Sequence, residues 1–246
     1  MKNNLIAALL LCCSLLCFKI GYAQTPGANS PDLAATTAIQ KFNNTIGKQS
    51  WLYNGPVYDL GKRVIQGNPN FLDTALADKQ GSVVYYGFLY KDVPLTYDIR
   101  NDMLVTTLYD DVSRYCLING MVSEFTIFSH RFIRLNPDTT SNKVIKPGFY
   151  DEVYNGKLQV LVKPTKFIHV ARGVMSPDDY YESKTYYYLK KNGIYHAIAS
   201  EGDMLDILAD HKKELKKYIR DNRIKFKEGP ADVMFMLAAY YDKITN

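Results

Sequence analysis

Cysteine, histidine and tryptophan are scarce in this chain: 246 residues carry four cysteines, four histidines and one tryptophan. Three of the cysteines, Cys12, Cys13 and Cys17, sit in an apolar run from Leu5 to Phe18. That run follows the basic Lys2 and ends in Gly21-Tyr22-Ala23, which reads as a secretory signal peptide over residues 1–23 with cleavage before Gln24. It is shorter than the roughly 20 apolar residues a spanning helix needs, so no transmembrane segment is expected in the mature chain. A lipoprotein signal needs a small residue before its cysteine, and Leu11, Cys12 and Leu16 stand there instead. Lipidation is therefore not expected. Cys116 is left without a partner, which excludes an internal disulfide and makes packing carry the fold even in an oxidising compartment. Its setting, Arg114-Tyr115-Cys116-Leu117-Ile118, is strand-like and predicts a small buried hydrophobe.

Site signatures are equally sparse. His130, His169, His196 and His211 show no pair at ligand spacing, so neither a metal nor a cofactor is expected. Gly-rich phosphate loops and nucleophile elbows are absent. The formal net charge of +5, part of it on Lys2 and Lys19 of the leader, is too mild to imply a nucleic-acid partner. Adjacent carboxylates occur at Asp110-Asp111, Asp151-Glu152 and Asp178-Asp179, and paired carboxylates can serve as acid and base across a glycosidic bond. Neighbours in a strand point to opposite faces, however, so adjacency builds no such pair. Catalytic residues stay unassigned.

What the chain does have is tyrosine, 20 in all, which favours strands and amphipathic surfaces. After a leader at residues 24–30, Ser30-Pro31-Asp32 supplies a helix start, and Leu33, Ala38, Ile39, Phe42 and Ile46 follow a helical stripe that Gly47 can end. The leader and helix occupy residues 24–49. Residues 50–199 change to short aromatic and β-branched runs, about ten strands in all. Asn119-Gly120, Asn155-Gly156 and Asn192-Gly193 each fall between two such runs and predict hairpins. Val93, Leu95, Tyr97 and Ile99 alternate with Pro94, Thr96 and Asp98, as in a half-solvated antiparallel strand with Pro94 at its start or on an edge. Residues 200–246 read as three helices packed on the sheet. Ser200-Glu201-Gly202-Asp203 resembles a capping box, Asp210 is placed to cap the second helix, and Gly229-Pro230 opens the third. The fold class is α+β: mainly an antiparallel β meander, as a sandwich or partial barrel, with an N-terminal helix and about three C-terminal helices.

Two surfaces are candidates for binding. Tyr180, Tyr181, Tyr186 and Tyr188 form a tyrosine run whose exposed members could stack on sugar rings. Lys212, Lys213, Lys216, Lys217 and Arg220 make the second C-terminal helix basic, a face suited to an acidic partner or to peripheral contact with anionic lipid.

Leu52-Tyr53-Asn54-Gly55-Pro56-Val57-Tyr58, Val93-Pro94-Leu95-Thr96-Tyr97-Asp98, Gly148-Phe149-Tyr150-Asp151-Glu152-Val153-Tyr154-Asn155-Gly156 and the helical tail resemble a family of uncharacterised secreted proteins of Bacteroidota. The resemblance implies an exported envelope protein and carries no catalytic residue with it. That phylum glycosylates exported proteins at an acidic residue followed by Ser or Thr, and Asp73-Thr74-Ala75 and Asp138-Thr139-Thr140 fit, which makes Thr74 and Thr139 the expected O-glycosylation sites. The expected function is a non-enzymatic binding or accessory module, periplasmic or on the outer envelope, that takes an envelope protein or glycan. The alternative is a hydrolase whose carboxylates converge only in space.

Overall fold

The computed structural model describes residues 31–46, 51–59, 61, 64–71, 79–108, 112–136, 144–170 and 179–245. The leader, Thr74, Thr139, Asp110-Asp111 and Asp178 lie outside these residues. Helix α1 runs Pro31–Ile46. Proline opens it, where a missing N–H costs nothing, and Gly47, read as its end, lies outside the described residues.

Ten strands follow: β1 (Lys79–Tyr85), β2 (Phe88–Asp98), β3 (Met103–Thr107), β4 (Arg114–Cys116), β5 (Val122–Ile127), β6 (His130–Leu135), β7 (Gly148–Asn155), β8 (Gln159–His169), β9 (Tyr180–Lys191) and β10 (Ile194–Ile198). Helices α2 (Glu201–Ile207), α3 (Lys212–Asp221) and α4 (Pro230–Thr245) close the chain. All ten strands form one antiparallel sheet in the order β10-β9-β8-β7-β6-β5-β1-β2-β3-β4. The sheet is open rather than closed on itself: it is the expected antiparallel meander, in two runs joined where β5 returns to β1.

That return curls the sheet. Only residues 117–121 link β4 to β5, yet β3, β2 and β1 stand between them in the ladder. Four strand spacings of about 4.8 Å demand nearly the full reach of five residues, so the strands must bend toward one another. The same curl carries the β2–β3 turn to β8, five strands away in the ladder, where Asp102 Oδ1 accepts a hydrogen bond from Lys163 Nζ at 2.6 Å. Gly148 lets the two sides meet: its φ is +143°, and a Cβ there would lie 2.2 Å from Asp102 Oδ2. Inside the curl, Tyr97, Phe125, Phe132 and Phe149 pack edge to face or stacked, all buried.

A second core lies where α2, α3 and α4 cover the β7–β10 end of the sheet. Leu158, Val160 and Leu189 meet Met204, Leu205, Leu208, Leu215, Val233, Met234 and Leu237 there, all buried. Because strand side chains alternate, the neighbouring pairs Leu161–Tyr188 and Lys163–Tyr186 point to the opposite face of the β8–β9 ribbon.

Several local expectations change in the folded chain. Asn192-Gly193 forms the predicted tight turn between β9 and β10, with φ of +50° and +81°, and Asn155-Gly156 lies at the β7–β8 connection. Asn119-Gly120 makes no hairpin: it sits in a 3₁₀ turn from which β5 leaves to pair with β1. Val93, Leu95, Tyr97 and Ile99 are buried as read, but Thr96 and Asp98 on the other face are buried too. Asp98 accepts from Tyr58 Oη, the Arg100 and Asn101 N–H groups and Asn101 Nδ2, which replaces the lost solvent. Pro94 lies within β2, on a stretch that β3 does not reach because its pairing begins at Leu95. The missing donor therefore costs the ladder nothing on that side. Asp210 caps no helix. It lies in a 3₁₀ turn and binds Lys191 Nζ at 2.8 Å and Tyr241 Oη at 2.6 Å, while α3 begins after His211. Cys116 is buried, and burial pushes its thiol pKa up, as suits a structural residue.

Candidate functional site

The ribbon of β8 and β9 is the longest paired segment of the sheet, in register from Gln159–Lys190 to His169–Tyr180. One face of it carries, by strict alternation, Gln159, Leu161, Lys163, Thr165, Phe167 and His169 on β8 and Tyr180, Glu182, Lys184, Tyr186, Tyr188 and Lys190 on β9. This face forms one wall of an open groove of ≈ 890 Å³. The β2–β3 turn, through Arg100 and Asp102, and Lys146-Pro147 ahead of β7 form the facing side.

The floor is built from buried and half-buried polar groups. Lys163 Nζ reaches Asp102 Oδ1 at 2.6 Å and the Phe149 carbonyl at 2.9 Å, and it lies 5.2 Å from the centre of the Tyr150 ring. Burial pulls the Lys163 pKa down, and the Asp102 carboxylate works against that shift. Tyr97 Oη donates to Asp102 at 2.5 Å, and burial, reinforced by that carboxylate, holds the Tyr97 pKa well above 10.0. Burial likewise pushes Tyr150 up to about 12, and its hydroxyl donates to the Lys146 carbonyl at 2.8 Å. These phenols are neutral donors at any physiological pH. Among the described residues the one carboxylate lining the groove, Asp102, is engaged by Lys163 and Tyr97.

Three lysines on this face lie over tyrosine rings: Lys163 over Tyr150, Lys184 over Tyr186 at 4.9 Å and Lys190 over Tyr195 at 5.0 Å. Such contacts hold each ammonium in place at about 0.5–1 kcal/mol where exposed. Among the described residues, Arg100, Lys146 and Lys163 bring positive charge to the groove against Asp102, while Lys166 is buried on the other face of β8, where its Nζ donates to the Asn68 carbonyl at 3.0 Å. Its electrostatic character is therefore positive. A smaller recess of ≈ 300 Å³ lies at the Lys190 end of the ribbon, lined by Asn155, Lys157, Gln159 and Asn192 among others.

The four tyrosines read from the sequence divide. Tyr186 and Tyr188 line the groove, and Tyr188 packs edge-on against Tyr150 at 5.7 Å. Tyr180 shares their face at the far end of the ribbon, 41% exposed and stacked on His169 at 4.7 Å. Tyr181 turns to the other face and is half-buried, so it leaves the set. The basic helix stands apart from the groove: α3 buries Leu215 and Ile219 in the helical core on the opposite face of the ribbon. Lys213, Lys216 and Lys217 are exposed, Lys212 pairs with Asp206 at 2.5 Å, and Arg220 lies 3.5 Å from Asp221. No helix among the described residues is long and apolar enough to cross a membrane.

The described adjacent carboxylates do not converge. Asp151 meets His130 Nδ1 at 2.6 Å, whereas Glu152, on the other face of β7, binds Arg131 and Gln159 Nε2. Asp179 is buried next to residues outside the described set. Among the described residues no group of three His, Cys, Asp or Glu side chains could hold a metal. His211 is half-buried and edge-on to Tyr241 at 5.5 Å.

Sequence reasoning missed Arg100, Lys146, Tyr150, Lys163 and Phe167. The alternation Lys163-Thr165-Phe167 was a readable signal, but the β8–β9 register and the long-range approach of the β2–β3 turn were needed to join them. Comparison of the chain with known protein families, with curated proteins and with solved structures finds no match.

Proposed function

We propose that this protein is an exported, non-enzymatic binding module of the bacterial envelope, periplasmic or outer-envelope associated, that takes a glycan along the β8–β9 face. The observation that carries the reading is the open groove walled by Phe167, Tyr186 and Tyr188 and floored by Tyr150, whose one carboxylate among the described residues, Asp102, is held by Lys163 and Tyr97. Aromatic side chains on a rigid sheet present flat faces and phenolic donors at fixed spacing, which suits sugar rings. A glycosidase would need two carboxyl groups free to act across a bond, and among the described residues Asp102 has no second carboxylate beside it in the groove lining. The signal-like leader and the resemblance to secreted Bacteroidota proteins support the envelope location.

The test is retention of the purified chain on envelope polysaccharides in a glycan array and in pull-down with insoluble glycans. Retention by the parent, lost in Tyr186→Ala with Tyr188→Ala while the thermal melt stays cooperative, supports the reading. Failure to retain any glycan, or retention unchanged in that variant, overturns it.

A further inference from the structure

Building on that reading, we infer that the ligand of the β8–β9 groove is an acidic polysaccharide, a linear sugar chain bearing carboxylates along its length. Among the described residues the groove lining brings Arg100, Lys146 and Lys163 against one carboxylate, Asp102, which is already paired with Lys163. Lys146 and Arg100 are exposed on the side facing the ribbon, and neither is in an ion pair with another described residue. Lys184 and Lys190 lie on the ribbon itself, each held over a tyrosine ring. Cations thus flank the aromatic strip on both sides, and the carboxylate on this face of β9, Glu182, stands beyond Lys184 and lies 3.7 Å from His169 Nδ1.

Their arrangement is periodic. Lys184, Tyr186, Tyr188 and Lys190 share one face of β9 at successive two-residue steps, about 7 Å apart, so the two lysines stand about 20 Å apart along the strand. A polymer with one charge per sugar ring can place carboxylates at both ends of this strip while its rings lie over the tyrosines between them. Holding each lysine over a ring reduces the freedom it would lose on binding, which favours affinity through preorganisation.

An acidic peptide fits less well. Peptides that bind extended along a sheet draw affinity from main-chain hydrogen bonds to an open strand edge. Here β9 is paired on both sides, with β8 and β10, and β8 carries a buried Pro164 without an N–H beside a buried Lys166. Recognition is left to side chains, which lysine, arginine and tyrosine supply. An anionic membrane fits less well again, because this face lies in a groove.

The experiment is calorimetry with three probes: polygalacturonate, the same polymer fully methyl-esterified, and poly-glutamate of similar length, with anionic phosphatidylglycerol vesicles as a fourth. The inference expects polygalacturonate to bind at least tenfold more tightly than its ester, and the affinity to fall as salt rises from 50 to 500 mM. Charge reversal at the groove, Lys146→Glu with Lys184→Glu, should weaken polygalacturonate binding at least tenfold. Reversal on α3, Lys213→Glu with Lys216→Glu, should leave it within about twofold. Circular dichroism of each variant confirms that it is folded, and a less drastic Lys146→Gln with Lys184→Gln pair serves if the reversals unfold. Ester and acid binding equally overturns the acidic ligand while sparing the glycan reading. Poly-glutamate or vesicles binding with neither polysaccharide retained overturns both. Equal loss from the α3 reversal overturns the groove as the site.

Discussion

At the scale of single residues, His130 shows how tertiary structure gives a side chain properties its sequence neighbours do not predict. It opens β6 as an isolated histidine, yet its Nδ1 lies 2.6 Å from Asp151 Oδ2, and its ring meets Phe71 edge-on at 5.0 Å. The hydrogen bond to the Asp151 carboxylate raises its pKa above 6.5, against partial burial, which lowers it. A raised folded-state pKa means that the protonated form favours folding. The stabilisation is complete below the unfolded value near 6.5 and is lost as the pH rises through the higher folded value. The difference in melting temperature between the parent and His130→Asn is therefore expected to be larger at pH 5.5 than at pH 8.5. Titration of the His130 ring by NMR should give a midpoint above the ordinary one, and a midpoint at or below 6.5 contradicts this account.

At the scale of elements, local chemistry decides most boundaries. The capping box of α2 forms as its sequence predicts: Ser200 Oγ accepts from the Asp203 N–H at 3.2 Å, and Asp203 Oδ2 accepts from the Ser200 N–H at 2.9 Å. The Ala199 N–H reaches the same carboxylate, and these donors hold the Asp203 pKa below the usual carboxylate value. Ser200→Ala removes one acceptor from an otherwise intact cap and is expected to cost about 1 kcal/mol in urea unfolding. A change under about 0.3 kcal/mol would show that packing of Met204 and Leu205 alone holds the helix. Turns were less legible than helices. Phe128-Ser129 joins β5 to β6 with φ of +52° and +68°, although neither residue signals a turn of that kind. Asn119-Gly120 carries the strongest such signal and forms no hairpin, because β4 pairs with β3 and β5 with β1. A turn motif reports what the backbone tolerates, while the partner strand is chosen by the rest of the sheet.

At the scale of the whole molecule, the Asp102–Lys163 contact ties the β2–β3 turn to β8 across the curl and forms the floor of the groove. The side chains are 26% and 13% exposed, so removing one charge leaves the other poorly solvated. Asp102→Asn is expected to destabilise the fold by about 2 kcal/mol, reduced from the 3–5 kcal/mol of a fully buried pair by its partial exposure. Replacing both, Asp102→Leu with Lys163→Met, should recover only part of that loss, since an apolar pair pays no desolvation but leaves the buried Tyr97 hydroxyl without its acceptor. A double variant less stable than Asp102→Asn by chemical denaturation would contradict the argument.

The antiparallel class, the N-terminal helix, the α2 cap and the buried stripe of α4 were determined by the sequence itself, because periodicity, capping and proline chemistry act between residues close along the chain. Tertiary structure alone decided the order of the strands, the curl that brings Asp102 to Lys163, the withdrawal of Tyr181 and the assembly of Arg100, Lys146, Tyr150, Lys163 and Tyr186 around one groove. The physical reason is register. A strand's alternation says which residues share a face, but which face meets the helices and which lines the groove is set by pairing between segments tens of residues apart.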